Sequence, residues 1–205
     1  MDHGTGRCRG PLRRLVGPVV RDGLAWWLTS RATGIVAYLA LTGSMLAGLA
    51  SRTRTGQRIT SPLGRLEWHK ALSVAGLVLA VAHVLTLLGS ARDFSPIELL
   101  VPGAMPYRPF WAALGVVGFW ALIAIAITGP MRSRLGPGAW HWIHRAAYAV
   151  FIAVTAHGVM MGSDSGRLPM LLVYVAAIAL VGGMVIRRVI APPSPVRKPA
   201  ASRRP

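Results

Sequence analysis

Four histidines lie inside apolar stretches of the sequence, at spacings that are nearly the same in two separate stretches. His69 and His83 are fourteen residues apart in WHKALSVAGLVLAVAHVL, and His144 and His157 are thirteen apart in IHRAAYAVFIAVTAHG. On an ideal helix these intervals correspond to a rise of about 20 Å. Each stretch therefore carries two histidines, one near each of its ends. Imidazoles are costly in lipid and usually mark a functional site there.

The composition indicates a membrane protein. Of the 205 residues, 53% are hydrophobic and 14% are charged, whereas about a quarter of an average soluble domain is charged. A net charge of +17 would suggest nucleic acid as the partner of a soluble protein. Here the basic residues flank apolar runs, so the positive-inside bias explains them and no nucleic-acid partner is expected. The partner that the composition predicts is the lipid bilayer of the cell membrane.

Five apolar runs are long enough to cross the hydrocarbon core, and without water they must be helical. They predict an all-α membrane protein, a bundle of five transmembrane helices that occupies residues 25–187. We expect residues 1–24 to form a basic N-terminal segment without a cleaved signal peptide, and residues 188–205 to form a disordered Pro/Ala-rich tail. The predicted spans are residues 32–50, 69–89, 110–129, 141–161 and 169–186.

The distribution of Lys and Arg predicts the orientation of the bundle. Five of them in 51–70, three in 130–145 and six from Arg187 onward make fourteen on one side, against eight on the other. The side with the excess is expected to be cytoplasmic. The N-terminus is therefore predicted to lie outside and the C-terminus in the cytoplasm. The lone Cys8 excludes an internal disulfide and any multi-cysteine metal site.

The histidine spacings predict two haem sites between the second and fourth spans. These spans run parallel, so His69 comes to the depth of His144, and His83 to that of His157. Gly76 lies halfway between the two histidines of the second span and on their face, where a glycine lets a broad, flat group approach the backbone. Two imidazoles on opposite sides of a flat ring are the axial pair of an electron-transfer haem, whereas zinc or copper needs more converging ligands.

Two points weigh against this interpretation. A histidine in a membrane helix often does no more than form a hydrogen bond to a neighbouring helix. Thirteen residues also leave His144 and His157 about 140° from alignment on an ideal helix. We therefore expect His144 to lie at a frayed or tightened helix start, or the helix to be distorted. His141, between two tryptophans, is interpreted as an interface residue.

The two histidine stretches, together with WWLTSRATGIVAYLALTGSMLAGL, resemble the ferric-reductase-like transmembrane domain over about residues 25–187. This family includes ferric reductases, NADPH oxidases and the haem subunit of a methionine sulfoxide reductase system; the similarity is to small, actinobacterial-type members. The resemblance implies two b-type haems, with the four histidines as axial ligands. It also implies electron transfer across the membrane, by an oxidoreductase membrane subunit.

The resemblance is to a membrane domain alone, since the sequence has no Rossmann-type glycine fingerprint. A separate donor, a cytoplasmic flavoprotein or quinol, is therefore expected to supply the electrons. The acceptor would be ferric iron or a redox partner on the outer side. The alternative, from another functional class, is a haem-free membrane transporter or assembly subunit in which the histidines join helices. Transporters of that kind usually have inverted repeats and broken helices, which the sequence does not clearly offer.

Basic residues near the predicted haem edges are candidates to bind haem propionates. Arg31 would serve the outer haem, and Arg145 or Lys70 the inner one. The alternatives are snorkelling of Arg31 to lipid headgroups and ordinary anchoring for the other two. Asp93 and Asp164 on the outer side are interpreted as a possible acidic patch or as solvated turn residues.

Overall fold

The computed structural model describes residues 12–50, 62–90 and 94–190, and in these ranges all regular structure is helical. Residues 1–11 of the predicted N-terminal segment and residues 191–205 of the predicted disordered tail lie outside the described ranges. We number the helices in chain order. They are α1 (Leu12–Ala50), α2 (Pro62–Leu88), α3 (Pro96–Leu100), α4 (Pro109–Thr128), α5 (Arg132–Met161) and α6 (Leu168–Ile190).

Five of these helices are long and apolar enough to cross a membrane, which confirms the predicted number of spans and the all-helical fold. They are α1, α2, α4, α5 and α6, so the second and fourth spans are α2 and α5. The first helix is the one that differs most from its prediction. It begins at Leu12 rather than near residue 32, and its apolar part extends over Gly23–Ala50. The arginines among its early residues hid this longer helix from a search based on hydropathy.

The spans pack as two tight pairs, α1 against α2 and α4 against α5, and α6 packs against α1. By contrast, α2 and α5 have almost no backbone contact with each other among the described residues. The two helices that carry the four histidines are therefore each supported by a different neighbour. Their described backbones lie mostly more than 8 Å apart, and we call this separation the gap between α2 and α5.

A small aromatic core joins α1, α5 and α6 at mid-bundle. The Tyr38 ring packs edge-on against Tyr174, with centroids 5.3 Å apart, and stacks with Phe151 at 6.2 Å. The Thr155 hydroxyl lies 3.2 Å from that of Tyr38. These contacts tie α5 to α1 and α6.

The helix α5 is interrupted near its start. Gly136 has φ 76° and ψ 158°, values that are not helical, and Pro137 follows it. A glycine tolerates this positive φ and a proline suits the first turn of the helix that resumes. Of the two expected alternatives, a frayed or tightened start at His144 is wrong, because the helix is regular there. The distortion of α5 lies eight residues earlier, at Gly136, outside the interval from His144 to His157.

Candidate functional site

The structure brings His69 of α2 and His144 of α5 together. Their ring centroids lie 5.9 Å apart and their planes are nearly perpendicular, at 81°. Both side chains are half-buried. No other pair of rings bridges α2 and α5 among the aromatic contacts of the described residues. We call His69 and His144 the inner pair.

The second pair, His83 of α2 and His157 of α5, lies toward the opposite end of the same gap. The two imidazoles are close enough to interact electrostatically, and both are half-buried. We call them the outer pair, after the predicted orientation. The depth matching expected from the spacing is therefore present at both ends of α2 and α5.

Three of the four imidazoles are held through Nδ1 by a backbone carbonyl of a neighbouring helix. His69 donates to Ser44 at 2.9 Å, His83 to Ser30 at 2.7 Å, and His157 to Trp111 at 2.9 Å. A proton on Nδ1 leaves the lone pair on Nε2. Histidines that bind metals are typically oriented by such a bond from their other nitrogen. These three rings therefore have the tautomer that a metal ligand needs.

The inner pair has the separation that a bis-histidine haem needs. Bonds of about 2 Å from a metal to each imidazole nitrogen put the two ring centres about 6 Å apart, and the observed distance is 5.9 Å. No group of three or more His, Cys, Asp or Glu that could hold a bare metal ion occurs in the described residues. The residues present fit a haem.

His144 is supported differently from the other three. Its ring stacks on Trp140, with centroids 5.0 Å apart and planes 13° apart. This contact lies within α5 itself, one turn away along the helix. His141 bonds back to the Pro137 carbonyl of its own helix and is exposed, as its interpretation as an interface residue requires.

The remaining predicted site residues are placed as follows. A Cβ on Gly76 would lie 2.6 Å from a methyl carbon of Leu41 on α1, so α1 makes the close approach that this glycine permits. Arg31 forms an ion pair with Asp164, in the connection between α5 and α6. Arg145 lies over the Trp142 ring at 5.7 Å from its centroid, and Lys70 is exposed on α2. Their roles toward a haem stay predictions.

Asp164 does not lie in an acidic patch among the described residues. It binds Arg31 and also Arg167, whose Nε lies 3.3 Å from Oδ1 of the carboxylate. Asp93, the other residue considered for such a patch, lies outside the described ranges. The carboxylate of Asp164 instead joins the start of the membrane-embedded part of α1 to the connection between α5 and α6.

The sequence analysis missed the residues of α1 and α4 that hold the histidines. Ser30 and Ser44 lie fourteen residues apart, as His69 and His83 do, and each is followed four residues later by a glycine. This shared interval could have indicated from the sequence that the serines lie opposite the histidines. That conclusion also requires that α1 packs antiparallel to α2 in this register.

Together, the five apolar helices and the paired intramembrane histidines define a multi-pass helical membrane protein with a candidate cofactor site. The family described as "Ferric reductase like transmembrane component" matches residues 33–155, more than half of the chain, and the chain therefore belongs to this family. Its members typically bind haem, and the family suggests transmembrane electron transfer. No curated protein and no solved structure shows significant similarity to the chain.

Proposed function

We propose that the chain carries electrons across the cell membrane through two b-type haems. The inner haem would be held by His69 and His144 and the outer one by His83 and His157. The observation that carries the proposal is the 5.9 Å separation of the inner rings across a gap between two helices that otherwise hardly touch. The Nδ1 bonds that free Nε2 on three of the rings support the same conclusion.

A haem with two axial imidazoles supplies a one-electron carrier whose iron has no open position for a substrate. The chain would orient the imidazoles and keep water out of the gap with apolar helices. Arg31 on the outer side, and Arg145 or Lys70 on the inner side, would offer positive charge to the propionates. A separate cytoplasmic flavoprotein or quinol would donate electrons, and ferric iron or an outer redox partner would accept them.

The test is a visible spectrum and a haem determination on detergent-purified protein expressed with ample haem. The wild type should have a sharp b-type α band on reduction and about two haems per chain. His83→Ala should hold one haem and remain folded, because the inner pair is untouched. His69→Ala should likewise lose only the inner haem.

His141→Ala is the matched control. It removes an imidazole that lies three residues from His144 and bonds to the Pro137 carbonyl of its own helix. Both haems should therefore remain. A folded, colourless wild type would contradict the proposal and favour a haem-free transporter or assembly subunit. Loss of haem in His141→Ala with retention in His69→Ala would refute the assignment of ligands.

A further inference from the structure

The helix α1 carries the same short pattern twice, once opposite each histidine of α2. SRATG covers residues 30–34 and SMLAG covers residues 44–48. The first pattern lies against His83 and the second against His69. Because α1 and α2 are antiparallel and both intervals are fourteen residues, one packing register brings both patterns to their histidines at once.

Each serine exchanges two hydrogen bonds with its histidine. The His83 Nδ1 donates to the Ser30 carbonyl at 2.7 Å, and the Ser30 hydroxyl donates back to the His83 carbonyl at 3.4 Å. The corresponding distances between His69 and Ser44 are 2.9 and 3.2 Å. Each hydroxyl oxygen also lies near Nδ1, at 3.2 and 3.0 Å respectively. Both serines are buried, with 1% and 4% of their surface exposed.

Each glycine leaves the backbone carbonyl of its serine accessible to the histidine ring. In a helix, the side chain of residue i+4 leans toward the N-terminus and covers the turn that contains the carbonyl of residue i. A Cβ on Gly34 would lie 2.8 Å from Nδ1 of His83, and one on Gly48 would lie 3.3 Å from Nδ1 of His69. Any larger residue would therefore push the ring away from its acceptor.

The same arrangement occurs a third time on a different helix. His157 donates to the Trp111 carbonyl, and a Cβ on Gly115, four residues later, would lie 2.5 Å from its Nδ1. Ordinary packing of small residues between membrane helices does not account for an acceptor carbonyl and a glycine at one fixed offset beside three different imidazoles. The repetition points to a role of these glycines and carbonyls in placing the rings.

We infer that Ser30–Gly34 and Ser44–Gly48 of α1 are two positioning cradles, each of which fixes the orientation and tautomer of one α2 histidine and so serves one haem. This inference rests on the proposed haem-binding function. The carbonyl holds the proton on Nδ1, the hydroxyl adds a second acceptor beside it, and the glycine sets the distance. The cradles contact the histidines, so they would act on a haem through them.

The experiment compares alanine variants on one helix. Gly34→Ala should lose the outer haem and leave the spectrum of His83→Ala, with haem per chain falling from two to one. Gly48→Ala should weaken only the inner haem, and less severely, because its Cβ is 3.3 Å rather than 2.8 Å from the ring. Gly43→Ala is the control, since its Cβ would meet only the flexible Leu72 side chain at 3.3 Å.

The serine variants are tested by the reduction potential of each haem. This quantity would not change if the serines only helped the helices to pack. Ser30→Ala keeps the carbonyl but removes the hydroxyl oxygen beside Nδ1, so the ring becomes a weaker electron donor. The reduction potential of the outer haem alone should rise, and Ser44→Ala should raise that of the inner haem alone. Thr29→Ala removes a hydroxyl that donates to the Ala25 carbonyl of its own helix, and it should shift neither potential.

The outcomes separate the two proposals. A wild type without haem overturns the proposed function and the cradles with it. A wild type with two haems whose Gly34→Ala and Gly48→Ala variants resemble Gly43→Ala, or lose both haems alike, overturns the cradles alone. If a glycine variant does not fold, the serine variants decide, and equal potentials in Ser30→Ala, Ser44→Ala and the wild type overturn the inference.

Discussion

Arg31 and Asp164 form an ion pair close to the outer pair of histidines. Arg31 follows Ser30, whose carbonyl binds His83, and Asp164 lies seven residues after His157. Their side chains are 27% and 16% exposed, so solvent screens the pair only in part. The charge of Arg31 is thus partly balanced by a carboxylate. We expect the balance between the two groups to set how much positive charge the outer haem experiences.

Asp164→Asn should therefore raise the reduction potential of the outer haem. For unit charges roughly 10 Å apart at an effective dielectric constant of about 20, Coulomb's law gives about 1–2 kcal/mol, or tens of millivolts for one electron, and we expect a shift of this order. A redox titration of the α band measures the shift. An unchanged outer potential, or an equal shift of both haems, would count against a local role of this ion pair.

At the scale of the elements, α4 packs against the histidine-bearing helix α5 in the way that α1 packs against α2. Gly115 of α4 has the His157 ring against its backbone, with a hypothetical Cβ 2.5 Å from Nδ1 and Cε1. The helix interface at this point has no space for a methyl group. Overpacking of this kind costs about 1–3 kcal/mol, and here the displaced group is a candidate ligand.

Gly115→Ala should thus lose the outer haem and lower the melting temperature of the purified protein. Gly182→Ala on α6 is the matched control, because a Cβ there would meet nothing within 4 Å. In a helix interior the control should be neutral or stabilising by about 0.5–1 kcal/mol. Equal haem content and equal melting temperature in the two variants would be inconsistent with a tight contact between α4 and His157.

Periodicity and hydropathy predicted the spans and the matched depths of the histidines, because both follow from one helix at a time. They did not predict the partners of the imidazoles, because Ser30, Ser44 and Trp111 belong to other helices and contribute backbone carbonyls, which every residue has. Gly76 illustrates the same limit. The helical period predicted its place on the face of the histidines, but the group that approaches it is Leu41 of α1.

At the scale of the whole molecule, four of the five spans form two pairs, α1 with α2 and α4 with α5, and the fifth span, α6, packs against α1. The charge distribution predicts which end faces the cytoplasm, and the arginines of the N-terminal segment oppose that prediction. The orientation matters because it decides which histidine pair lies near the donor.

The single cysteine offers a direct test of the orientation. With the N-terminus outside, Cys8 should react with a membrane-impermeant maleimide on intact cells. A Cys8→Ala chain with Ser202→Cys, which places the thiol at the other end, should react only after the cells are opened. Reaction of Ser202→Cys but not of Cys8 on intact cells would reverse the predicted orientation and exchange the inner and outer pairs.

The central claim, electron transfer across the membrane, is tested most directly in proteoliposomes with ferricyanide trapped inside and membrane-impermeant dithionite added outside. A potassium ionophore is included so that charge movement does not stop the reaction. The account predicts that the haem-loaded wild type reduces the trapped ferricyanide much faster than protein-free liposomes, and that His83→Ala and His69→Ala each abolish the difference. A wild type with both haems that reduces ferricyanide no faster than empty liposomes would contradict the account.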